Sequence, residues 1–135
     1  MTPPPEVAPV TRLIDHARVV ADAAAAGDPN PLHTDPEYAR TTPFGRPIAH
    51  GMLVLALVSE AMAGAFRERW AEGGTLSVRW RSPALHPVTV TARASLRSAK
   101  GGVATYDVSC EDEAGTVLLS GTASAPYEDE KDAGA

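Results

Sequence analysis

The stretch GDPNPLHTD at residues 27–35 brings an acid, an amide and an imidazole close together, as Asp28, Asn30 and His33. A carboxylate and an imidazole that converge on one water molecule form a general acid/base pair that works near neutral pH. Prolines on either side of Asn30 fix φ, so the loop is stiff and can hold side chains in a set geometry. Asp28 and His33 are therefore candidate catalytic residues, with Asn30 beside them.

Each of these residues also fits a simpler role. Asp28 and Asn30 are turn formers whose side chains bond to nearby backbone N–H groups, and the stretch would then be an ordinary surface loop. His33 would be a surface histidine. The spacing alone leaves both interpretations open.

The segment IAHGM at residues 48–52 adds a second feature, because Gly51 stands where a long apolar helix is predicted to begin. N–H groups in the first turn of a helix are free and lie at the positive end of its dipole, which suits an oxyanion such as a polarised thioester carbonyl. Glycine also allows a ligand to approach the backbone closely. In the alternative interpretation Gly51 serves only helix packing, and His50 is a core or cap histidine.

The elements around the loop are predicted from propensity and from helix-end signals. Residues Glu6–Val10 predict a short edge strand, and the alanine-rich stretch Leu13–Ala26 predicts a helix with Thr11 as its N-cap. Gly27 is a favoured residue for the end of that helix. A further turn of helix is predicted over Pro36–Arg40, with a proline at its first position.

Between Met52 and Phe66 the chain is apolar almost all round, which is typical of a buried helix. The rest alternates with period 2 and is rich in β-branched residues. The predicted strands are TLSVRW, VTVTARASL, VATYDVSC and TVLLSGTASA. Alternation places Trp80 and Cys110 inward. We expect an α+β domain in which a curved antiparallel sheet wraps the helix, and a dimer that covers the sheet edges.

Composition narrows the class of protein. The chain has 135 residues, of which 44% are hydrophobic, and a net charge of −5, which argues against nucleic acid or an anionic membrane as partner. The one cysteine excludes an intrachain disulfide and fits a cytoplasmic location. No signal peptide or membrane-spanning run is recognised. We expect one domain over residues 1–127 and a charged, disordered tail over 128–135.

The sequence GDPNPLHTDPEYARTTPFGRPIAHGML resembles the MaoC-like hydratase/dehydratase family, the R-specific or type 2 enoyl-CoA hydratases. The shared pattern is D-x-N-P-x-H, then a spacer with a phenylalanine–glycine region, then A-H-G-M. The resemblance implies the hot dog fold, in which a sheet wraps a long central helix. That agrees with the α+β arrangement predicted above.

The resemblance also implies roles. Asp28 and His33 match a dyad that activates water, Asn30 matches a residue that positions it, and the Gly51 N–H matches a donor to the thioester carbonyl. Ser59 matches a polar position near the active site. The implied enzyme is a lyase that adds water reversibly, in syn fashion, to trans-2-enoyl thioesters, giving (3R)-3-hydroxyacyl thioesters. It needs neither metal nor redox cofactor, and CoA or phosphopantetheine serves as the carrier of its substrate.

Several alternatives stay open. The chain departs from the family at WRSPALHPVTV, where a glycine–aspartate turn is missing and His86 stands instead, as a predicted turn residue. Because this corner differs, one alternative is a dehydratase acting on an unusual intermediate in polyketide or other secondary metabolism. A heterodimer with another hot dog subunit, an inactive partner subunit and a thioesterase are further alternatives.

Overall fold

The computed structural model describes residues 2–128 in ten helices and strands. In chain order they are β1 (Val10–Ile14), α1 (His16–Ala26), α2 (Pro31–Thr34), α3 (Pro36–Arg40), α4 (Gly51–Phe66), α5 (Glu68–Gly73), β2 (Thr75–Trp80), β3 (Val88–Lys100), β4 (Val103–Glu111) and β5 (Val117–Pro126). Most of the predicted tail, residues 129–135, lies outside the described residues. No helix within the described range is long and apolar enough to cross a membrane.

The five strands form one antiparallel sheet in the order β1-β3-β4-β5-β2. The four strands predicted from alternation are confirmed, and so are the two tight turns between β3, β4 and β5. Gly101 and Gly115 have φ of 59° and 84°, a backbone conformation that glycine adopts without steric cost. β1 and β2 are the edges of the sheet. The predicted α+β arrangement, a sheet curved around one long helix, is confirmed.

Helix α4 runs from Gly51 to Phe66, as its apolar composition predicts, and packs against the concave side of the sheet. Its inner face carries Val58 and Met62, both almost fully buried. Phe66 meets the ring of Tyr106 on β4 edge to face, with ring centroids 5.8 Å apart. The expectation of a helix buried all round is wrong for the single chain, because Met52 on the outer face is 66% exposed.

The N-terminal elements begin later than predicted. The edge strand is Val10–Ile14 instead of residues 6–10, and Thr11 lies inside it. Thr11 pairs with Thr91 of β3, and their hydroxyls are 2.9 Å apart. The helix therefore starts at His16, where the Asp15 carboxylate accepts the Arg18 N–H as N-cap. Sheet pairing determined this boundary, which helix propensity alone placed too early.

Candidate active site

The end of α1 aims Asp28 into the site. Gly27 takes the left-handed conformation predicted for the residue that ends the helix, with φ of 67°, and its N–H bonds to the Ala23 carbonyl. Asp28 follows, and its Oδ1 accepts the Asn30 N–H at 3.2 Å. This bond holds one carboxylate oxygen in the loop and leaves Oδ2 free to face the histidines.

Asn30 organises the next turn of the chain. Its Oδ1 accepts the Leu32 N–H at 3.0 Å, which makes Asn30 the N-cap of α2. With Pro31 at the first helical position, the expected loop folds into one helical turn. Asn30 therefore positions the turn that carries His33, and its side chain bonds to backbone within that turn.

His33 is held from two sides and its side chain is 12% exposed. Its Nδ1 lies 2.9 Å from the Ile48 carbonyl oxygen. Because a carbonyl can only accept, Nδ1 carries a proton, and in the neutral form of the ring Nε2 then has a free lone pair. His86 lies 2.7 Å, through Nε2, from the backbone carbonyl of His33. His86, which the sequence predicted as a turn residue, is thus buried against α2 and contacts the backbone of His33.

Asp28 Oδ2 and His33 Nε2 are 3.8 Å apart. That distance is too long for a direct hydrogen bond, and a water with hydrogen bonds of about 2.8 Å reaches both atoms. The Asp28 side chain is 46% exposed, so the water position opens towards solvent. The structure brings together the acid and the imidazole that the sequence singled out.

His50 is a member of the cluster that the sequence interpretation missed. Its ring stacks on His33 with centroids 3.8 Å apart, and its Nε2 lies 3.7 Å from Asp28 Oδ2. His50 stands at the N-cap position of α4 and is buried, as the alternative interpretation of a core or cap histidine has it, but its side chain makes no cap hydrogen bond. The sequence signal was present in its position next to Gly51, but only the fold shows that it faces Asp28.

Potential metal ligands lie close together in this cluster, because ligand atoms of Asp28, His33 and His50 are within 4.8 Å of one another. In a tetrahedral zinc site, lone pairs of two imidazoles converge on the ion at about 109°. Here the two ring planes are stacked and inclined by 29°. Their in-plane lone pairs run side by side instead of converging, so this arrangement does not fit an ion held by both histidines.

Gly51 begins α4 next to His50, and within residues 2–128 its N–H makes no hydrogen bond. Trp80 covers this glycine: a Cβ on Gly51 would come 2.8 Å from the indole nitrogen. That nitrogen donates to the Gly51 carbonyl at 3.2 Å. The prediction that Trp80 fills the core is wrong, because it is 52% exposed on the edge strand β2.

A cavity of about 310 Å³ adjoins this helix start. Its walls are mostly apolar and include Phe44, Ile48, Gly51, Trp80, Pro83 and Leu118. An apolar cavity next to a small polar cluster is the usual form of a site for a small organic substrate.

Ser59 lies apart from the cluster. It is two turns further along α4, about 12 Å from Gly51 by helix rise. Its hydroxyl accepts the indole N–H of Trp70 at 2.8 Å. The substrate contact that the resemblance implies for Ser59 stays a prediction.

Comparison with known proteins finds related chains. The family model for the MaoC like domain matches residues 3–117. An (R)-specific enoyl-CoA hydratase of Aeromonas caviae is 58% identical over 43 residues, 32% of each chain. A 3-hydroxyacyl-thioester dehydratase X of Mycobacterium tuberculosis is 39% identical over 87 residues, 64% of this chain. The matched segments span about a third of the length of these two relatives, 32% and 29%.

The fold is shared along almost the whole chain. The solved structure of the (R)-hydratase from A. caviae superposes with a TM-score of 0.78 at 29% identity, covering 94% of this chain and 98% of the other. The predicted hot dog fold is thereby confirmed.

Proposed function

The chain belongs to the MaoC-like domain family, and from that membership we propose that it catalyses the reversible syn addition of water to trans-2-enoyl thioesters. The product is a (3R)-3-hydroxyacyl thioester, and the enzyme class is a hydro-lyase. Relatives named as enoyl-CoA hydratase and hydroxyacyl-thioester dehydratase support this reaction. The observation that carries the proposal is the pair of Asp28 Oδ2 and His33 Nε2, 3.8 Å apart beside a free helix N-terminus.

In the proposed reaction one water donates its hydrogens to Asp28 and His33. Its oxygen forms a bond to C3 while His33 Nε2, which has a free lone pair, takes a proton. The alkene electrons move towards the thioester oxygen, giving an enolate. A proton then returns to C2 on the same face, so the net change is the addition of H and OH.

The enolate oxygen is placed at the Gly51 N–H, at the positive end of α4. Removing one such donor typically lowers the rate by about 10²–10³. Asn30 acts through the loop by holding the turn that bears His33. The scheme needs neither a metal nor a redox cofactor, and CoA or phosphopantetheine enters as the carrier of the acyl group.

The apolar cavity is proposed to hold the acyl chain. Pro83 and Ala84 in its wall belong to the corner that departs from the family sequence pattern, and His86 ties this corner to His33. This observation favours, as a second candidate, a dehydratase for an unusual intermediate of polyketide or other secondary metabolism, working with the same dyad.

We further propose a homodimer. β1 and β2 leave backbone groups unpaired at the sheet edges. The outer face of α4 exposes Met52. Light scattering after size exclusion tests this: a dimer mass is expected, and a monomer that gains activity with a second hot dog chain would favour the heterodimer.

The proposed reaction is tested by incubating the purified protein with crotonyl-CoA and longer trans-2-enoyl-CoAs and following loss of the enoyl absorbance. We expect turnover and (3R) product, and comparison with the carrier-protein thioester identifies the carrier. Release of free thiol instead would indicate a thioesterase. No loss of absorbance with any acyl length or carrier would contradict the proposal and favour an inactive partner subunit.

A further inference from the structure

His50 and Asp22 form a second acid–imidazole pair behind the first one. The Asp22 Oδ2 lies 3.2 Å from His50 Nδ1, while His50 Nε2 lies 3.7 Å from Asp28 Oδ2. His50 is 5% exposed, and within the described residues neither ring nitrogen has a hydrogen bond of good geometry. A buried polar side chain in that state calls for an explanation beyond stability.

Local structure does not explain why helix α1 has an aspartate at position 22. It stands in the alanine-rich helix α1, where aspartate is a weaker helix former than its neighbours. Its side chain is 26% exposed, and the one ion pair that it forms within residues 2–128 is with His50. The tertiary contact with His50 therefore accounts for a carboxylate at this place.

We infer that Asp22 is a positioning residue for the proposed hydration, acting through His50. A carboxylate only accepts hydrogen bonds, so a hydrogen bond between Asp22 and His50 Nδ1, which lie 3.2 Å apart here, requires the proton on Nδ1. The ring is then oriented with Nε2 towards Asp28. Hydrogen bonds of this kind are often poorly aligned in the free enzyme and tighten when substrate binds.

The orientation of His50 matters because its ring touches both members of the dyad. It stacks on His33 and faces Asp28 Oδ2. Acids and imidazoles thus alternate in the order Asp22, His50, Asp28, His33. Loss of Asp22 lets the His50 ring rotate, and the two groups that hold the water lose their common support.

This inference rests on the proposed function, and it predicts a split in the kinetic constants. Asp22→Ala is expected to lower kcat about 10- to 100-fold, by analogy with the carboxylates that orient metal-binding histidines. KM for the enoyl thioester changes little, since Asp22 is not placed against the substrate. Asp22→Asn restores much of kcat, because the amide oxygen still accepts from Nδ1.

The decisive experiment is a double-mutant cycle with Asp22→Ala, His50→Asn and both changes together. If Asp22 acts through His50, Asp22→Ala has no further effect in the His50→Asn background. Asp107→Ala, at an exposed carboxylate on β4, is the control for loss of an acid. Should His50→Asn fail to fold, the ¹⁵N shifts of the His50 ring in the parent and in Asp22→Ala report the same contact, and a change is expected.

Three results would overturn the inference: Asp22→Ala with kcat within about twofold of the parent, effects that multiply in the cycle, or unchanged His50 ring shifts. An active parent with an inactive Asp28→Asn variant and an unaffected Asp22→Ala would overturn this inference alone. A parent inactive on every enoyl thioester overturns the proposed function as well.

Discussion

The two ends of α4 differ in whether their polar groups are hydrogen-bonded. At the N-terminal end, His50 is buried with neither ring nitrogen in a well-formed hydrogen bond, and the Gly51 N–H is free within the described chain. Towards the C-terminal end, Ser59 accepts the Trp70 indole N–H. Beyond it, Phe66 packs edge to face on Tyr106.

The difference indicates that one end of the helix serves catalysis and the other end serves stability. An unsatisfied buried polar group costs about 1–3 kcal/mol, so its presence at one end lowers stability. A satisfied hydroxyl and close apolar packing at the other end raise it. Changes at the N-terminal end should therefore affect turnover and spare the fold, and changes at the C-terminal end should do the reverse.

The largest effect is expected for His33→Ala. Loss of the base that faces Asp28 should lower kcat by about 10²–10⁴, the usual contribution of acid/base catalysis. His33→Ala also removes the hydrogen bond to Ile48 and the stacking on His50, so thermal stability should fall, but by less than for a fully buried core side chain. Turnover of a trans-2-enoyl-CoA measures the effect. A kcat within about fivefold of the parent value would show that His33 is not the catalytic base.

Met62→Ala is the opposite case. Met62 is fully buried against the sheet, so its truncation should lower the free energy of unfolding by about 2–5 kcal/mol. Urea denaturation measures this, and kcat per folded molecule should stay close to the parent value. A stable variant with impaired kcat would mean that the two ends of the helix are not separable in this way.

Trp70→Phe tests the satisfied hydroxyl. Loss of its donor to Ser59 should cost about 0.5–1.5 kcal/mol of stability and leave kcat unchanged. Ser59→Ala then distinguishes two roles. A stability loss like that of Trp70→Phe with unchanged kcat assigns Ser59 to structure, whereas a fall in kcat that Trp70→Phe does not show would support a contact with substrate.

A prediction confined to alkaline pH concerns Cys110, buried between β4 and α4. Burial raises the pKa of its thiol from 9.0 to about 11. A pKa raised by folding gives stability that is complete below about pH 9 and is lost as the pH rises towards about 11. The stability difference between the parent and Cys110→Ala should therefore shrink over that window in denaturation series. A constant difference would show that the thiol is not shielded.

The same contrast explains what the sequence could predict. Strands β2 to β5 follow from alternation and glycine turns, and the start of α4 follows from IAHGM, because these signals lie within a few residues. The loop from Asp28 to His33 is equally local. Its acid, amide and imidazole were therefore found without a structure.

Features that depend on distant pairing could not be predicted. β1 lies later than expected because its partner is β3, about eighty positions along the chain. Asp22 gives no local signal, and His50 gives only its position next to Gly51, because the contacts of both residues form only in the folded chain. Trp80 alternates like a core residue, but β2 is an edge strand and the indole covers Gly51 instead.

The most direct test compares two carboxylates of similar exposure, Asp28 at 46% and Asp107 at 53%. We expect Asp28→Asn to lower kcat on trans-2-enoyl-CoA by at least about 10², with its thermal unfolding unchanged, and Asp107→Asn to leave both unchanged. An Asp28→Asn enzyme that keeps activity within about fivefold of the parent would contradict a water held between Asp28 and His33.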